Sequence, residues 1–576
     1  MFKMSQLAEL KTVFPEGGNL KYEDLLKGIR KDTLTKVATY LIGKNLFSDE
    51  AVDNLPALEN WFSDGNKVFA DDMYNRIIAY EKQSGHKLTV VYNISCLKIL
   101  QYGLELEEQG LLDQKSKEQS EIDLFLAMLA LNQNEDYHHT KDIEKIKAGF
   151  SESIVPAALM LNYSFPNQDI TNFHFEDYNG CQVIKYLFLF NFLEQSNEGK
   201  ELIKRFCDFF NLKNWQDYLG AVFPLILAWT KREHGGALDM VLEKNNGYND
   251  SYQFLKKLAL GNYIKMEDHD YIKIREKPLI ELDDVTFRII HPLFVSDKIY
   301  KGMFFLLKQL NEEGAKLIGN FRSWYTTNFS EGYCFVELIK YSFHKPDILF
   351  FDDELKASGI VGPPDSYLRQ GDDVFLFENK DILIGASIKG SYDFEALIAE
   401  LKKKLLIEGT RGVGIGQIIN NIRKLLTGEN TFDDGFAGGQ TNIYPIITLH
   451  DPMFDAPGLN YIMNAFFQEE LDKLRKEGIN VDRVKPLALV NIDAMIQVSP
   501  LLKSGKIIFK DMFEYYYNFL VVDKSKAKNY AELESLYKNA MPPFYYYMKN
   551  YLNEKMGENW RSEDLMRLLL EKNKIE

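Results

Sequence analysis

A short hairpin pattern in the middle of the chain brings together two carboxylates and one amine. The stretch from Pro363 to Lys380 contains Gly371-Asp372, which predicts a two-residue turn of type II′ between two strands. The register set by this turn places Asp365 opposite Glu378. Because side chains alternate along a strand, Lys380 shares a face with Glu378. The sequence therefore predicts an acid, an acid and an amine at one end of a hairpin.

Two facing carboxylates repel each other, and a divalent cation removes that cost. Hard oxygen ligands are the ones that Mg²⁺ selects, so the pair predicts a site for Mg²⁺ or Mn²⁺. The alternative is a solvated hairpin with an incidental ion pair. Other Glu-x-Lys tripeptides occur in polar or helix-like surroundings, at Glu9–Lys11, Glu198–Lys200, Glu354–Lys356 and Glu400–Lys402. Only Glu378 ends an apolar, aromatic strand with a carboxylate paired across a readable turn.

The Pro-Asp and Glu-x-Lys pattern across this hairpin resembles the PD-(D/E)XK, or restriction-endonuclease-like, nuclease superfamily. The resemblance covers only the central part of the chain. It implies that Asp365 and Glu378 hold the metal with help from the carbonyl of Asn379, and that Lys380 orients the attacking water. It also implies a polar residue after the next helix, and Gln417 matches that position as a residue that touches substrate or water.

Three assignments have alternatives in the sequence. Pro346-Asp347 is a competing Pro-Asp pair, and Asp365 is preferred because its pairing across a short turn needs no assumption about a long connection. The resemblance implies a helix that brings a further acid to the metal. Glu337 is the candidate, on a helix predicted from Glu331 to Phe343 with Ser330 as its cap. A surface role for Glu337, and a helix-start role for Gln417, are the competing interpretations.

Composition indicates a folded protein of several domains. The chain has 576 residues, 45% of them hydrophobic, with 40 Phe and 32 Tyr, which is enough to bury sizeable cores. The start lacks the apolar core of a signal peptide, and the apolar clusters are too short to span a membrane, so no membrane partner is expected. Four scattered cysteines, without metal-ligand spacing, fit the reduced cytoplasm.

Charge bears on the kind of partner. A net charge of −16 argues against a protein that coats nucleic acid nonspecifically. From Lys380 to Glu429, however, eight basic residues face six acidic ones, which locally reverses the sign. A metal ion together with such a patch suffices for a nuclease.

Periodicity predicts an α plus α/β protein of three parts. Residues 1–262 are predicted to form an α-helical domain, and residues 263–506 a mixed sheet flanked by helices, with a leading β-hairpin. Residues 507–576 are predicted to form a helical extension. Its tyrosine runs, Tyr515–Tyr517 and Tyr545–Tyr547, either pack inside or stack on bases or a partner protein.

Together these features predict a cytoplasmic, Mg²⁺-dependent nuclease that hydrolyses phosphodiester bonds, with DNA expected as substrate rather than RNA. The architecture resembles that of bacterial defence or nucleic-acid-processing proteins, and the helical regions offer surfaces for a protein partner or for self-association. The alternative is a catalytically inactive nuclease-like module or a helical protein-binding scaffold.

Overall fold

The computed structural model describes residues 6–45, 61–106, 114–171, 175–230, 237–261, 270–343, 345–429 and 432–557. The chain forms two compact units, each built from two stretches. The first unit takes Met1–Lys141 and Phe206–Gly302, and the second takes Asp142–Arg205 and Met303–Glu576. Helices predominate and several small mixed sheets accompany them, which confirms the prediction of an α plus α/β protein.

The first unit is mainly helical. Its helices are Leu10–Val13, Pro15–Gly17, Tyr22–Leu26, Lys31–Asn45, Asp64–Asn66, Lys67–Ser84, Asn93–Glu105, Lys117–Thr140, Gln216–Thr230, Tyr248–Leu258, Ile272–Glu276 and Pro292–Ser296. It also contains short strands, contrary to the purely helical prediction. Gln6–Leu7 pairs with Leu88–Thr89, and a four-stranded sheet has the order Leu238–Val241, Thr286–Ile289, Leu279–Glu281, Ala259–Leu260. The hairpin predicted to lead the α/β part forms as the antiparallel pair Leu279–Glu281 and Thr286–Ile289, but it belongs to the first unit and not to the unit of the larger sheet.

The second unit carries the larger sheet between two layers of helices. Its helices are Ile143–Gly149, Val155–Ser164, Phe165–Asn167, Gln168–Thr171, Phe175–Leu193, Asn197–Phe210 (whose last residues belong to the first unit), Met303–Glu312, Phe321–Trp324, Tyr325–Phe335, Val336–Ser342, Asp352–Ala357, Ala386–Ser391, Phe394–Leu405, Ile415–Leu426, Pro452–Asp455, Leu459–Lys476, Ile492–Lys503, Phe509–Leu520, Lys524–Lys526, Tyr530–Ala540 and Phe544–Met556. A small antiparallel pair joins Ile407–Glu408 to Arg411–Gly412.

Five strands form the larger sheet, in the spatial order Ala488–Asn491, Asn442–Leu449, Asp373–Lys380, Ser366–Gln370, Ile348–Phe351. We call Ser366–Gln370 the first hairpin strand and Asp373–Lys380 the second. The second hairpin strand runs antiparallel to the first and parallel to Asn442–Leu449. The sheet is therefore mixed, and its second hairpin strand is central.

The two faces of the sheet are both buried, as expected for strands that are apolar throughout. Val374 and Leu376 pack on one face with the helices Phe394–Leu405 and Ile415–Leu426. Phe375 packs on the other face with a different set of helices, which includes Val336–Ser342, Ile492–Lys503, Phe509–Leu520 and Phe544–Met556. The alternation of side chains along one strand thus divides the hydrophobic core into two layers.

The observed units differ from the predicted division into 1–262, 263–506 and 507–576. Residues 142–205 belong to the unit of the larger sheet, because Val155–Ser164 and Phe175–Leu193 contribute to its cores. The described residues after 506 complete the second core instead of forming a separate extension, and both tyrosine runs pack into it, with Tyr516 and Tyr547 buried. The predicted boundary at 262–263 lies outside the described residues.

Within the described ranges, no helix combines the length and the apolar character that a membrane crossing requires.

Candidate active site

The hairpin forms with the register that the sequence predicts. Gly371 occupies the turn with a φ of 60°, in the left-handed region that glycine adopts without strain. Gln370 pairs with Asp373, and Ser366 pairs with Phe377. Beyond this last pair, at the end of the hairpin away from the turn, the Asn379 N–H donates to Asp365 Oδ2 at 2.6 Å. This bond ties Asp365 to the strand end that carries Glu378 and Lys380.

Glu378 is the most deeply buried acid of this group, with no exposed surface. Its Oε2 lies 3.0 Å from Lys380 Nζ as an ion pair, but neither of its carboxylate oxygens makes a hydrogen bond of good geometry in the described part of the chain. Burial raises the pKa of Glu378 well above its usual range, and the charge of Asp365 raises it further, while Lys380 opposes both effects. Such a carboxylate has an oxygen available for a cation.

Asp365 and Lys380 respond to the same surroundings. Burial raises the pKa of Asp365, while the charge of Lys380 and the Asn379 N–H hold it down. Burial alone would lower the pKa of Lys380, but the charges of Glu378 and Asp365 outweigh it and raise the pKa. Lys380 therefore remains an ammonium group, whose N–H groups donate rather than accept.

A third acid reaches this site from an element that the sequence did not reveal. Glu331 lies in a π-helical segment, Tyr325–Phe335, and its charge influences both Glu378 and Lys380. Burial, followed by the charge of Asp365, raises the pKa of Glu331 to about 7. The sequence suggested Glu337 for this role, but among the acids near the hairpin site it is Glu331, six residues earlier, whose charge acts on Glu378 and Lys380.

The prediction that Ser330 caps a new helix is wrong. Ser330 lies inside one continuous helical stretch that runs from Phe321 to Ser342, with the π-helical segment in its middle. Its Oγ donates to Asp381 Oδ2 at 2.6 Å instead of capping a helix. Wide π-helical turns are frequent at functional sites, and they shift which residues of a helix point in a given direction.

Three other residues considered for the site, Asn379, Gln417 and Asp347, have side chains that bind elsewhere. The side chain of Asn379 contacts Ser330 and His450 on the opposite face from Glu378, so only its backbone is near the acids. Gln417 Oε1 accepts from the Gly414 N–H at 3.0 Å and thereby caps its own helix. Asp347 accepts from the Gly371 N–H at the turn.

Distance along the strand separates the two Pro-Asp candidates. The turn and Glu378 are seven residues apart, which corresponds to about 23 Å in an extended strand. Asp347 binds the turn, whereas Asp365 binds the strand end beside Glu378. Of the two aspartates, Asp365 is therefore the one that joins Glu378 and Lys380.

The fit of the site to a divalent cation depends on its donors. In the described residues, no three side chains of His, Cys, Asp or Glu are already grouped to hold a metal ion. Mg²⁺, however, is usually held by one or two carboxylates and completes its shell with water and substrate phosphate oxygens. Asp365, together with the unpartnered Oε1 of Glu378, fits that mode of binding.

No protein-family model, curated protein or solved structure matches this chain. Its function is therefore inferred from the residues of the hairpin and of the π-helical segment.

Proposed function

We propose that this protein is a metal-dependent nuclease that hydrolyses phosphodiester bonds of nucleic acid at the Asp365, Glu378 and Lys380 site. The observation that carries the proposal is the fully buried Glu378, whose Oε2 forms an ion pair with Lys380 and whose two oxygens both lack a hydrogen-bond partner in the described part of the chain. Burying such a group stabilises no fold by itself. A perturbed acid–lysine pair at a strand end is instead typical of catalytic sites.

Each residue has a role that follows from its surroundings. Asp365 and Glu378 would hold Mg²⁺ or Mn²⁺, and Glu331 would bring a third carboxyl group to the site. A bound divalent cation supplies Lewis-acid polarisation of the phosphodiester and of a water molecule. Lys380, kept protonated by its two acidic neighbours, donates to the attacking water and stabilises the charge that develops on the phosphate.

The mixed sheet between helical layers supports the restriction-endonuclease-like assignment, since that is the architecture the sequence resemblance implies. DNA is the proposed substrate class. The four cysteines are free and buried, which supports a reducing, cytoplasmic setting.

A matched pair of lysine variants tests this proposal. Lys380 pairs with Glu378 at one end of the second hairpin strand, and Lys510 pairs with Asp373 at its other end, at 2.9 Å. Cleavage of labelled single-stranded DNA, duplex DNA and RNA would be measured with Mn²⁺ and with Mg²⁺. We expect Lys380→Ala to lower cleavage by about a hundredfold or more and Lys510→Ala to leave it unchanged.

Melting temperatures show whether each variant is folded. Lys380→Met is a second control, because it keeps the aliphatic stem of a side chain that is only 16% exposed. Mn²⁺ affinity, measured by calorimetry, should survive in both Lys380 variants. Equal cleavage by the wild type and Lys380→Ala would remove Lys380 from the mechanism. A metal-loaded wild type that cuts none of the substrates would favour an inactive nuclease-like module or scaffold instead.

A further inference from the structure

The second hairpin strand presents different side chains to its two faces at its end. Glu378 and Lys380 lie on the face of the acidic site, and the residues that alternate with them, Asn379 and Asp381, point the other way. Asn379 Nδ2 donates to the carbonyl of Ser330 at 3.4 Å. Ser330 Oγ in turn donates to Asp381 Oδ2 at 2.6 Å. The strand therefore holds Ser330 by its backbone and by its side chain.

Ser330 directly precedes Glu331 in the π-helical segment. Ser330 is fully buried, and Asp381 is fixed a second time by Arg322, whose Nη2 lies 3.0 Å from Asp381 Oδ1. The position of Glu331 thus depends on contacts that the strand end supplies.

The orientation of the Asn379 amide is itself fixed. Because its nitrogen faces a carbonyl, its oxygen must be the acceptor from His450 Nε2, which lies 3.0 Å away. Burial lowers the pKa of His450 to about 4, so the imidazole is neutral at pH 7 and carries its proton on Nε2. His450 directly follows the neighbouring parallel strand Asn442–Leu449, so residues at two adjacent strand ends meet at this amide.

We propose that Asn379 is a positioning residue that acts through Ser330 to hold Glu331 beside Asp365 and Glu378, with Asp381 as the second anchor and His450 as the support of its amide. This inference rests on the proposed metal site of the nuclease. Asn379 itself touches neither metal nor substrate through its side chain. Its effect on the site passes through Glu331.

A double-mutant cycle tests this coupling in the full-length protein. Mn²⁺ affinity would be measured by calorimetry in the wild type, Asn379→Ala, Glu331→Gln and the double variant. We expect Asn379→Ala to weaken Mn²⁺ binding by about tenfold in the wild type, as for other residues that orient metal ligands. In the Glu331→Gln background it should weaken binding by less than about twofold, because the group it positions is absent.

Two further variants control for folding. Thr448→Val alters the residue that pairs with Asn379 on the neighbouring strand, which is buried and whose hydroxyl has no partner in the described part of the chain, and it should leave Mn²⁺ affinity unchanged. Ser330→Ala removes only the bond to Asp381 and should reproduce part of the Asn379→Ala effect. It also replaces Asn379→Ala in the cycle if that variant does not fold.

Equal weakening in both backgrounds would overturn the proposal, because Asn379 would then act on the fold and not through Glu331. Unchanged Mn²⁺ affinity in Asn379→Ala would overturn it as well. Cleavage plays no part in this measurement. A wild type that binds Mn²⁺ but cuts no substrate would refute the proposed nuclease activity, and the double-mutant cycle would still decide the positioning role of Asn379. A wild type that binds no Mn²⁺ would refute both the nuclease activity and the positioning role.

Discussion

The two ends of the second hairpin strand differ in how their charged side chains are paired. At the turn end every charge described above has a partner, since Asp347 accepts from Gly371 and Lys510 pairs with Asp373. At the other end, acids whose pKa values are raised gather around Lys380, and both oxygens of the buried Glu378 lack a hydrogen-bond partner among the described residues. The acids at the turn end are paired, whereas the buried acids at the other end add no stability of their own. We infer that the acids at that end serve a function.

The largest difference between the two ends is expected in catalysis. Asp365→Asn should lower Mn²⁺ affinity and reduce cleavage by about a hundredfold or more, because one of two carboxylates for the metal is lost. Asp347→Asn is the matched control, a Pro-Asp aspartate at the turn end, and should leave cleavage within about threefold. The reverse result, with Asp347→Asn inactive and Asp365→Asn active, would show that the wrong aspartate has been assigned.

A smaller effect, on stability, is expected when a paired acid near the turn end is removed. Asp433 is buried, and its Oδ2 accepts from Tyr367 Oη at 2.6 Å and from Arg369 Nε at 2.8 Å. Asp433→Ala leaves both donors without this acceptor and should lower the free energy of unfolding by about 2–4 kcal/mol. Urea denaturation would measure the loss against Asp434→Ala, an exposed neighbour. A weakened Mn²⁺ affinity in folded Asp433→Ala would contradict the separation of the two ends.

The smallest effect is a pH dependence at the acidic end. The pKa of Glu331 is raised from 4.5, the ordinary value for a glutamate, to about 7 in the folded protein, so the folded state holds its proton more tightly. The stabilisation that this gives is complete below about pH 4.5 and is lost as the pH rises through 7. Relative to Glu331→Gln, the unfolding free energy of the metal-free wild type should therefore fall by about 1–2 kcal/mol over that range.

This prediction is checked by denaturant unfolding of both proteins with a chelator present, at several pH values between 4.5 and 8. A difference between the two proteins that stays constant with pH would mean that Glu331 is solvated like an ordinary surface glutamate. Glu337→Gln, on the same helical stretch, serves as the control and should not reproduce the effect.

The parts of the site that local chemistry determines were predictable. Gly371 sets the turn, the turn sets the register, and the register delivers Asp365 to the strand end that carries Glu378 and Lys380. Side-chain alternation and aromatic content were likewise sufficient to place the second hairpin strand inside a buried sheet.

The parts that depend on distant contacts were not predictable. Ser330 followed by Glu331 has the pattern of a helix start, and only the contacts of Ser330 with Asn379 and Asp381 show that the helix passes through it with a wide turn. No local pattern marks a π-helical segment, and both Glu331 and Glu337 fall within the helix predicted from Glu331 to Phe343.

The order of elements along the chain has a consequence for biosynthesis. One face of the larger sheet is covered by Phe509–Leu520 and Phe544–Met556, which are among the last described residues to be translated. While the ribosome is still adding them, the apolar side chains of Phe375, Phe377 and Tyr444 have no complete cover. The nascent protein must keep this face from aggregating until both of these helices have been synthesised. A premature stop before Phe509 would therefore leave every strand of the sheet present and still yield a product fit mainly for chaperones and proteases.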